Sequence, residues 1–243
     1  MKKTLQLLLI LSSFTISMQG QSWWSSKMIQ GNGNLTTTNR TVKKFDNLSV
    51  GGSMNVNLID GKEGYIRIEA EENIMPYIET IVEGRNLKIR FKKNISIRTN
   101  KKIEVNVAIE DISSMALGGS GNINVLKTLK EEELSVSISG SGNINASINV
   151  GTVKSAIGGS GNINLKGKAK SFDAAIAGSG NVIAYKLKAH NVKARIAGSG
   201  DIKVTVSDKI KATVVGSGNI YYKGHPDKID TTSLGSGDIE DRN

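Results

Sequence analysis

The stretch Gly118–Val125 reads GGSGNINV, and its near-copies decide the fold. The same words return as GSGNINAS, GSGNINLK, GSGNVIAY, GSGDIKVT, GSGNIYYK and GSGDIEDR. The triplets begin at Gly119, Gly140, Gly159, Gly178, Gly198, Gly216 and Gly235, with spacings of 21, 19, 19, 20, 18 and 19 residues. A glycine loop that cradles a phosphate is needed once and opens a helix. Here β-like alternation resumes directly after every copy, so the nucleotide reading fails on context. A period near 19 or 20 predicts stacked repeats.

Within each unit the apolar residues fall at every second position. Leu134, Val136, Ile138, Gly140, Gly142, Ile144 and Ala146 share one face, as do Val192, Ala194, Ile196, Gly198, Gly200, Ile202 and Val204. Period two means strand. Because the phase runs through the glycines, each unit is expected to be two short strands joined at a tight corner, then a less regular third segment, making one coil of a β-solenoid. The residue two before each corner forms a column of Leu117, Ile138, Ile157, Ile176, Ile196 and Val214, ending in Ser233. A second column runs Ile123, Ile144, Ile163, Val182, Ile202, Ile220, Ile239. Stacked coils turn such columns into continuous aliphatic ridges.

The corner pairs Gly119 and Gly121, Gly140 and Gly142, Gly159 and Gly161, Gly178 and Gly180, Gly198 and Gly200, Gly216 and Gly218, and Gly235 and Gly237 are read as structural. A residue without Cβ fits where the chain crowds the coil. The Ser between them and the next residue face outward. Stacked, Asn122, Asn143, Asn162, Asn181, Asp201, Asn219 and Asp238 make a polar ladder, in which each amide can donate to one neighbour and accept from the other. This ladder is also the candidate ligand face, with Lys166, Lys186 and Lys203 nearby and Tyr185 and Tyr221 available to stack on a sugar ring. An inert spacer, whose ladder only holds register, is the competing reading.

Leu48 to Leu58 repeats the phase, with GGSMNV where GGSGNI would stand, and reads as a degenerate first coil. Residues 60 to 112 break the period. Tyr65–Ala70 and Leu87–Phe91 read as strands and Ile103–Ile109 alternates again. Ile74, Ile78, Ile81 and Val82 have helical spacing, with Pro76 in the first turn and Gly84 past the end, which predicts a short helix capping the N-terminal entrance. The divisions are a signal peptide over 1–20, a linker over 21–41 and one solenoid domain over 42–243, irregular to 112 and regular from 113. The signal peptide rests on Lys2 and Lys3 followed by an apolar run, Leu5–Met18, too short to span a bilayer comfortably, with an uncleaved inner-membrane anchor as the alternative. It predicts export to the periplasm, outer-membrane surface or extracellular space.

The chain has 243 residues, no cysteine and a formal charge of +10. Absence of cysteine removes disulfides, thiolate catalysis and thiolate metal sites. The lysines are scattered without interleaved aromatics, which argues for a solvated, edge-protecting surface over nucleic-acid binding. No cofactor is expected and no metal: a calcium nonapeptide repeat needs a nine-residue period and carboxylates, and the ladder is mostly amide. Many β-helices cleave polysaccharides, so a carbohydrate-active enzyme is the alternative to a binding protein. It needs a local group of acids. The acids here occupy several columns, and His190 and His225 hold no constant place in the repeat, so no catalytic residue is assigned.

The GSGNI words, the export signal, FDNLSVGGSMNVNL and VEGRNLKIRF together resemble the bacterial head GIN domain family, labelled as auto-transporter adhesins, over residues 42 to 243. The resemblance implies a right-handed single-stranded parallel β-helix on an exported protein. With five residues past Asp238 in the sequence, no translocator barrel is expected within it. The expectation is a non-enzymatic cell-envelope or surface protein, an adhesin or glycan-binding module.

Overall fold

In the computed structural model, which describes residues 27–243, side chains alternate between core and solvent through nearly every strand. The N-terminal strands are β1 (Lys27–Gln30), β2 (Leu35–Thr41), β3 (Asn47–Gly51), β4 (Asn55–Asp60), β5 (Tyr65–Glu71), β6 (Ile78–Glu83), β7 (Asn86–Phe91), β8 (Ile95–Arg98) and β9 (Glu104–Ile109). The repeats supply β10 (Ser114–Gly118), β11 (Asn122–Leu129), β12 (Glu133–Ile138), β13 (Asn143–Ile157), β14 (Asn162–Gly178), β15 (Asn181–Gly198), β16 (Ile202–Gly216), β17 (Ile220–Lys223), β18 (Lys228–Gly235) and β19 (Ile239–Asp241). They form an all-β solenoid of about seven turns.

Every pairing in the regular part is parallel, and equivalent residues sit side by side: Ile138 with Ile157, Ile157 with Ile176, Ile176 with Ile196, Ile196 with Val214. Both aliphatic columns are buried as far as Val214 and Ile220. Unequal repeat lengths are absorbed mainly at one edge of the coil, with a further slip at the next edge between Ala189 and Asn191 of β15 on β16. The register of β11 on β13 slips between Asn124 and Thr128, that of β14 on β15 between Asn164 and Lys166, and that of β15 on β16 between Ala184 and Lys188. Insertions at this edge leave the glycine corners aligned, because the corners tolerate no change of backbone.

The irregular segment folds back. β7 lies beside β3, and β9 beside β4, on the side opposite β10 and β11. The chain therefore completes a coil beneath its first one before climbing past it to the repeats. Antiparallel strands close that end: β6 pairs with β7, β5 with β9, and β2 with β5. Reversing direction ends the parallel stack and leaves a small, twisted edge.

The expected capping helix is absent. Residues Met75–Tyr77 make a single 3-10 turn, and Ile78–Glu83 is the first strand of a hairpin. Ile78, Thr80, Ile81 and Val82 are β-branched, and Gly84, at φ +62, starts a two-residue turn into β7. Helical spacing and strand alternation are hard to separate over so short an apolar run. The carbonyls a helix would use are also taken elsewhere: Arg40 donates to Ile78 O at 2.7 Å and to Met75 O at 3.3 Å.

The segment read as a linker over 21–41 is described from Lys27 onward. Its residues 27–41 carry β1 and β2, with β1 parallel to β8 and β2 zipped onto β5 over its full length. Glu71, buried at the end of β5, accepts the Gly33 N–H at 2.6 Å and the Thr99 hydroxyl, tying both loops to the cap. The signal peptide, residues 1–20, lies outside the described residues. Among the described residues no helix is long and apolar enough to cross a membrane.

Candidate ligand-binding faces

The glycine corners stack directly. A Cβ on Gly180 would fall on the carbonyl oxygen of Gly161 and lie 2.7 Å from Ile157 Cγ2. Gly178 meets Gly159 in the same way and also holds φ +144, a conformation L side chains rarely adopt. In each case the obstacle is the backbone of the preceding coil, which is pinned by the stack. Met54 escapes this constraint. The coil beneath it passes through β8 without a glycine corner, and the Met54 side chain fills that space, fully buried.

The outward Asn column is a continuous hydrogen-bonded ladder. Nδ2 of Asn122 donates to Asn55, Asn143 to Asn122, Asn162 to Asn143 and Asn181 to Asn162, at 2.7 to 2.9 Å. At its base Asn55 donates to Glu104 at 2.7 Å. Above Asn181 the pattern changes. The backbone N–H of Asp201 donates to Asn181, that of Asn219 to Asp201, and that of Asp238 to Asn219, at 3.0 to 3.1 Å. Asp201 has no side-chain donor, and its main chain meets the oxygen below it instead; Asn219 adds its side-chain amide, which donates to Asp201 at 3.3 Å.

A second ladder, not singled out in the sequence, runs beside the first. Asn57 donates to Asn106, Asn124 to Asn57, Asn145 to Asn124 and Asn164 to Asn145, at 2.9 to 3.1 Å. Its signal was the Asn two residues after the first, present in GSGNINV, GSGNINA and GSGNINL and lost at Ile183. Asn57 spends its second N–H on Glu104 at 3.2 Å, while Asn124, Asn145 and Asn164 each keep a spare N–H and lone pair for solvent or a ligand.

This second ladder forms part of a groove of about 580 Å³ with Leu126, Lys166, Ile183, Tyr185 and Lys186. The groove follows the edge where the registers slip, so the inserted residues build its walls. Leu126 and Ile183 are exposed, while Tyr185 is half-buried and its phenol is pushed up by burial. Lys223 lies 5.2 Å from the Tyr185 ring centre; Tyr221, outside this groove, is flanked by Lys203 at 5.7 Å and Arg242 at 4.9 Å. Of the aromatic pair named from the sequence, the structure brings Tyr185 alone to the groove.

A larger groove, about 890 Å³, follows the next edge of the coil. It is lined by Lys130, Lys168, Lys170 and Lys188, with Glu131 and Glu132 near one end, and both histidines reach it. His190 and His225, which share no place in the repeat, are thus brought to one groove. Burial pushes the Glu131 carboxyl up, although it accepts the Ile112 N–H at 3.3 Å. His190, Ser207 and Asp208 also meet at this edge. The Ser207 hydroxyl lies 3.2 Å and Asp208 Oδ1 3.4 Å from the same ring nitrogen, Nδ1. A nucleophilic relay needs the hydroxyl and the carboxylate on opposite nitrogens, so the trio is not arranged as one. Hydrogen bonds from Ser207 and His190 hold the Asp208 carboxyl below its usual range. Among the described residues, no group of three or more His, Asp or Glu is placed to hold a metal ion.

Comparison with solved structures finds the same fold. A protein from Bacteroides fragilis described as a putative adhesin matches at TM-score 0.84 and 26% identity, covering 88% of this chain and 100% of its own. One from Parabacteroides distasonis described as a putative lipid binding protein matches at TM-score 0.75 and 26% identity, covering 89% and 100%. A third, from Parabacteroides merdae and described as a putative adhesin, shares the fold at TM-score 0.71 and 24% identity over 89% of this chain and 99% of its own. No curated protein matches the chain. The model of the family described as putative auto-transporter adhesin, head GIN domain, matches residues 44–226. With most of the solenoid inside that match, the chain belongs to the head GIN domain family.

Proposed function

We propose that this is an exported, non-enzymatic protein of the cell envelope or surface whose solenoid binds glycans. The observation that carries the reading is the groove in which the Asn124, Asn145 and Asn164 ladder runs beside Tyr185 and Leu126. Amides with unused donors and acceptors suit sugar hydroxyls, and an aromatic or aliphatic wall suits the apolar faces of a pyranose. The family label of adhesin supports a surface role, and the basic, apolar start of the sequence supports export.

The test is binding of the purified chain to an array of neutral and acidic glycans, with reducing-end release followed on the same ligands. Retention without release, weakened by Tyr185→Ala and Asn145→Ala, is the expected result. Release of reducing or unsaturated ends overturns the non-enzymatic part. Export is checked by deleting residues 1–20, which should leave the protein in the cytoplasm.

A second reading, lipid binding, draws on the description of the Parabacteroides distasonis neighbour and on exposed Leu126 and Ile183 in the same groove. It predicts that a fatty acid competes with glycan for the Tyr185 groove.

A further inference from the structure

The larger groove has a chemistry the glycan ladder lacks. Its floor is apolar and smooth, formed by Val150, Ala169, Ala189 and Val206, each buried. Its sides carry Lys130, Lys168, Lys170 and Lys188, all exposed. Lys168 and Lys188 are direct partners in the parallel register of β14 and β15, which places like charges on strands about 4.8 Å apart. None of the four ammonium groups has a salt-bridge or hydrogen-bond partner among the described residues. Glu131 and Glu132 stand at the end near Lys130, and Asp208 is engaged by Ser207 and His190. Lys168 and Lys188 therefore face each other with no ion pair, at a cost to the stack that an anionic ligand would relieve, while the acids of the groove, Glu132 against Gly151 and Asp208 beside His190, stand on the Lys170 side.

We infer that this groove binds a linear carboxylated polysaccharide, laid along the solenoid axis. The groove extends from the coil of Lys130 to that of His225, so it suits an extended polymer rather than a compact anion. Sugar rings would rest their C–H faces on the small apolar floor, and carboxylates spaced along the chain would meet the ammonium groups at its sides. Nucleic acid fits less well, because no Phe, Tyr or Trp lines the groove to stack successive bases. A membrane is a flat surface, and these charges border a trough. The inference deepens the glycan-binding reading by naming an acidic polymer, and it uses residues apart from the Tyr185 groove.

The experiment measures binding of the full chain to polygalacturonate, with dextran, single-stranded DNA and phosphatidylglycerol vesicles as parallel arms. Wild type should bind polygalacturonate saturably and more weakly as salt rises. The double variant Lys168→Gln/Lys188→Gln should lose tenfold or more in affinity, with an unchanged or higher melting temperature. Lys154→Gln, outside the groove, should bind as wild type. Absence of binding, equal binding by the double variant, or tighter lysine-dependent binding of DNA or vesicles each overturns the inference. Tyr185→Ala separates the two sites: loss of neutral-glycan binding with polygalacturonate binding retained leaves this groove standing, and the reverse pattern on the lysine variant leaves the ladder reading standing.

Discussion

Asn181 Oδ1 accepts the backbone N–H of Asp201 at 3.0 Å, where every rung below it accepts a side-chain amide. One atom, an amide nitrogen replaced by a carboxylate oxygen, changes how two coils are joined. Asn181→Asp would stack two carboxylates on adjacent strands and remove the bond to Asn162. Like charges so close raise each other's pKa in the folded state. The folded state then carries a penalty at neutral pH that disappears as pH falls through the raised values. The variant should melt below wild type at pH 7, and the gap should narrow near pH 4, read by thermal unfolding at both.

Gly180→Val should cost about 3 kcal/mol, because the new side chain meets the Gly161 carbonyl and Ile157, neither of which can shift without disturbing the stack. Gly180→Ala should already destabilise, since the Cβ itself collides. Asn162→Ala, which loses rungs to Asn143 and Asn181 in a half-buried site, should cost about 1 kcal/mol. Thermal or urea unfolding ranks them. If Gly180→Val melts with wild type, steric crowding is not the reason for the repeated glycines.

Ser155 is buried in a column otherwise filled by Val136 and Ala174, and its hydroxyl is the one buried side-chain polar atom without a partner among the described residues. Ser155→Ala keeps the shape and removes the unmet donor. It should stabilise by about 1 kcal/mol, seen as a higher urea midpoint with the slope unchanged.

Glu131 has a folded pKa raised by burial. A raised carboxyl favours the protonated folded state, so its contribution is most favourable below the ordinary glutamate value and is lost as pH rises through the folded one. Glu131→Gln keeps an acceptor for the Ile112 N–H and removes the charge. The variant should be more stable than wild type at pH 7 and indistinguishable from it near pH 3, checked by melting across that range.

The repeated corners made the solenoid legible because each coil touches only its neighbours, so a pattern written along the chain is also the pattern of contacts. Val136, Ile138, Ile144 and their equivalents announce the core by alternation, and the crowding that forbids a Cβ at Gly180 is written as glycine in every copy. The second ladder was equally open to inspection at Asn124, Asn145 and Asn164. Other features had no such local signature. That β7 and β9 pass beneath β3 and β4 is a choice of path, settled by which edges the antiparallel strands must close. Ile78–Val82 became a strand because β7 offered it a partner and Arg40 took the carbonyls of Met75 and Ile78. His190 and His225, and Lys168 and Lys188, share a groove only because register slips at two successive edges bring unequal repeats side by side. Sequence alone determined the coil, since neighbour stacking is local. Tertiary structure decided the cap and the grooves, since both depend on where the chain crosses between coils.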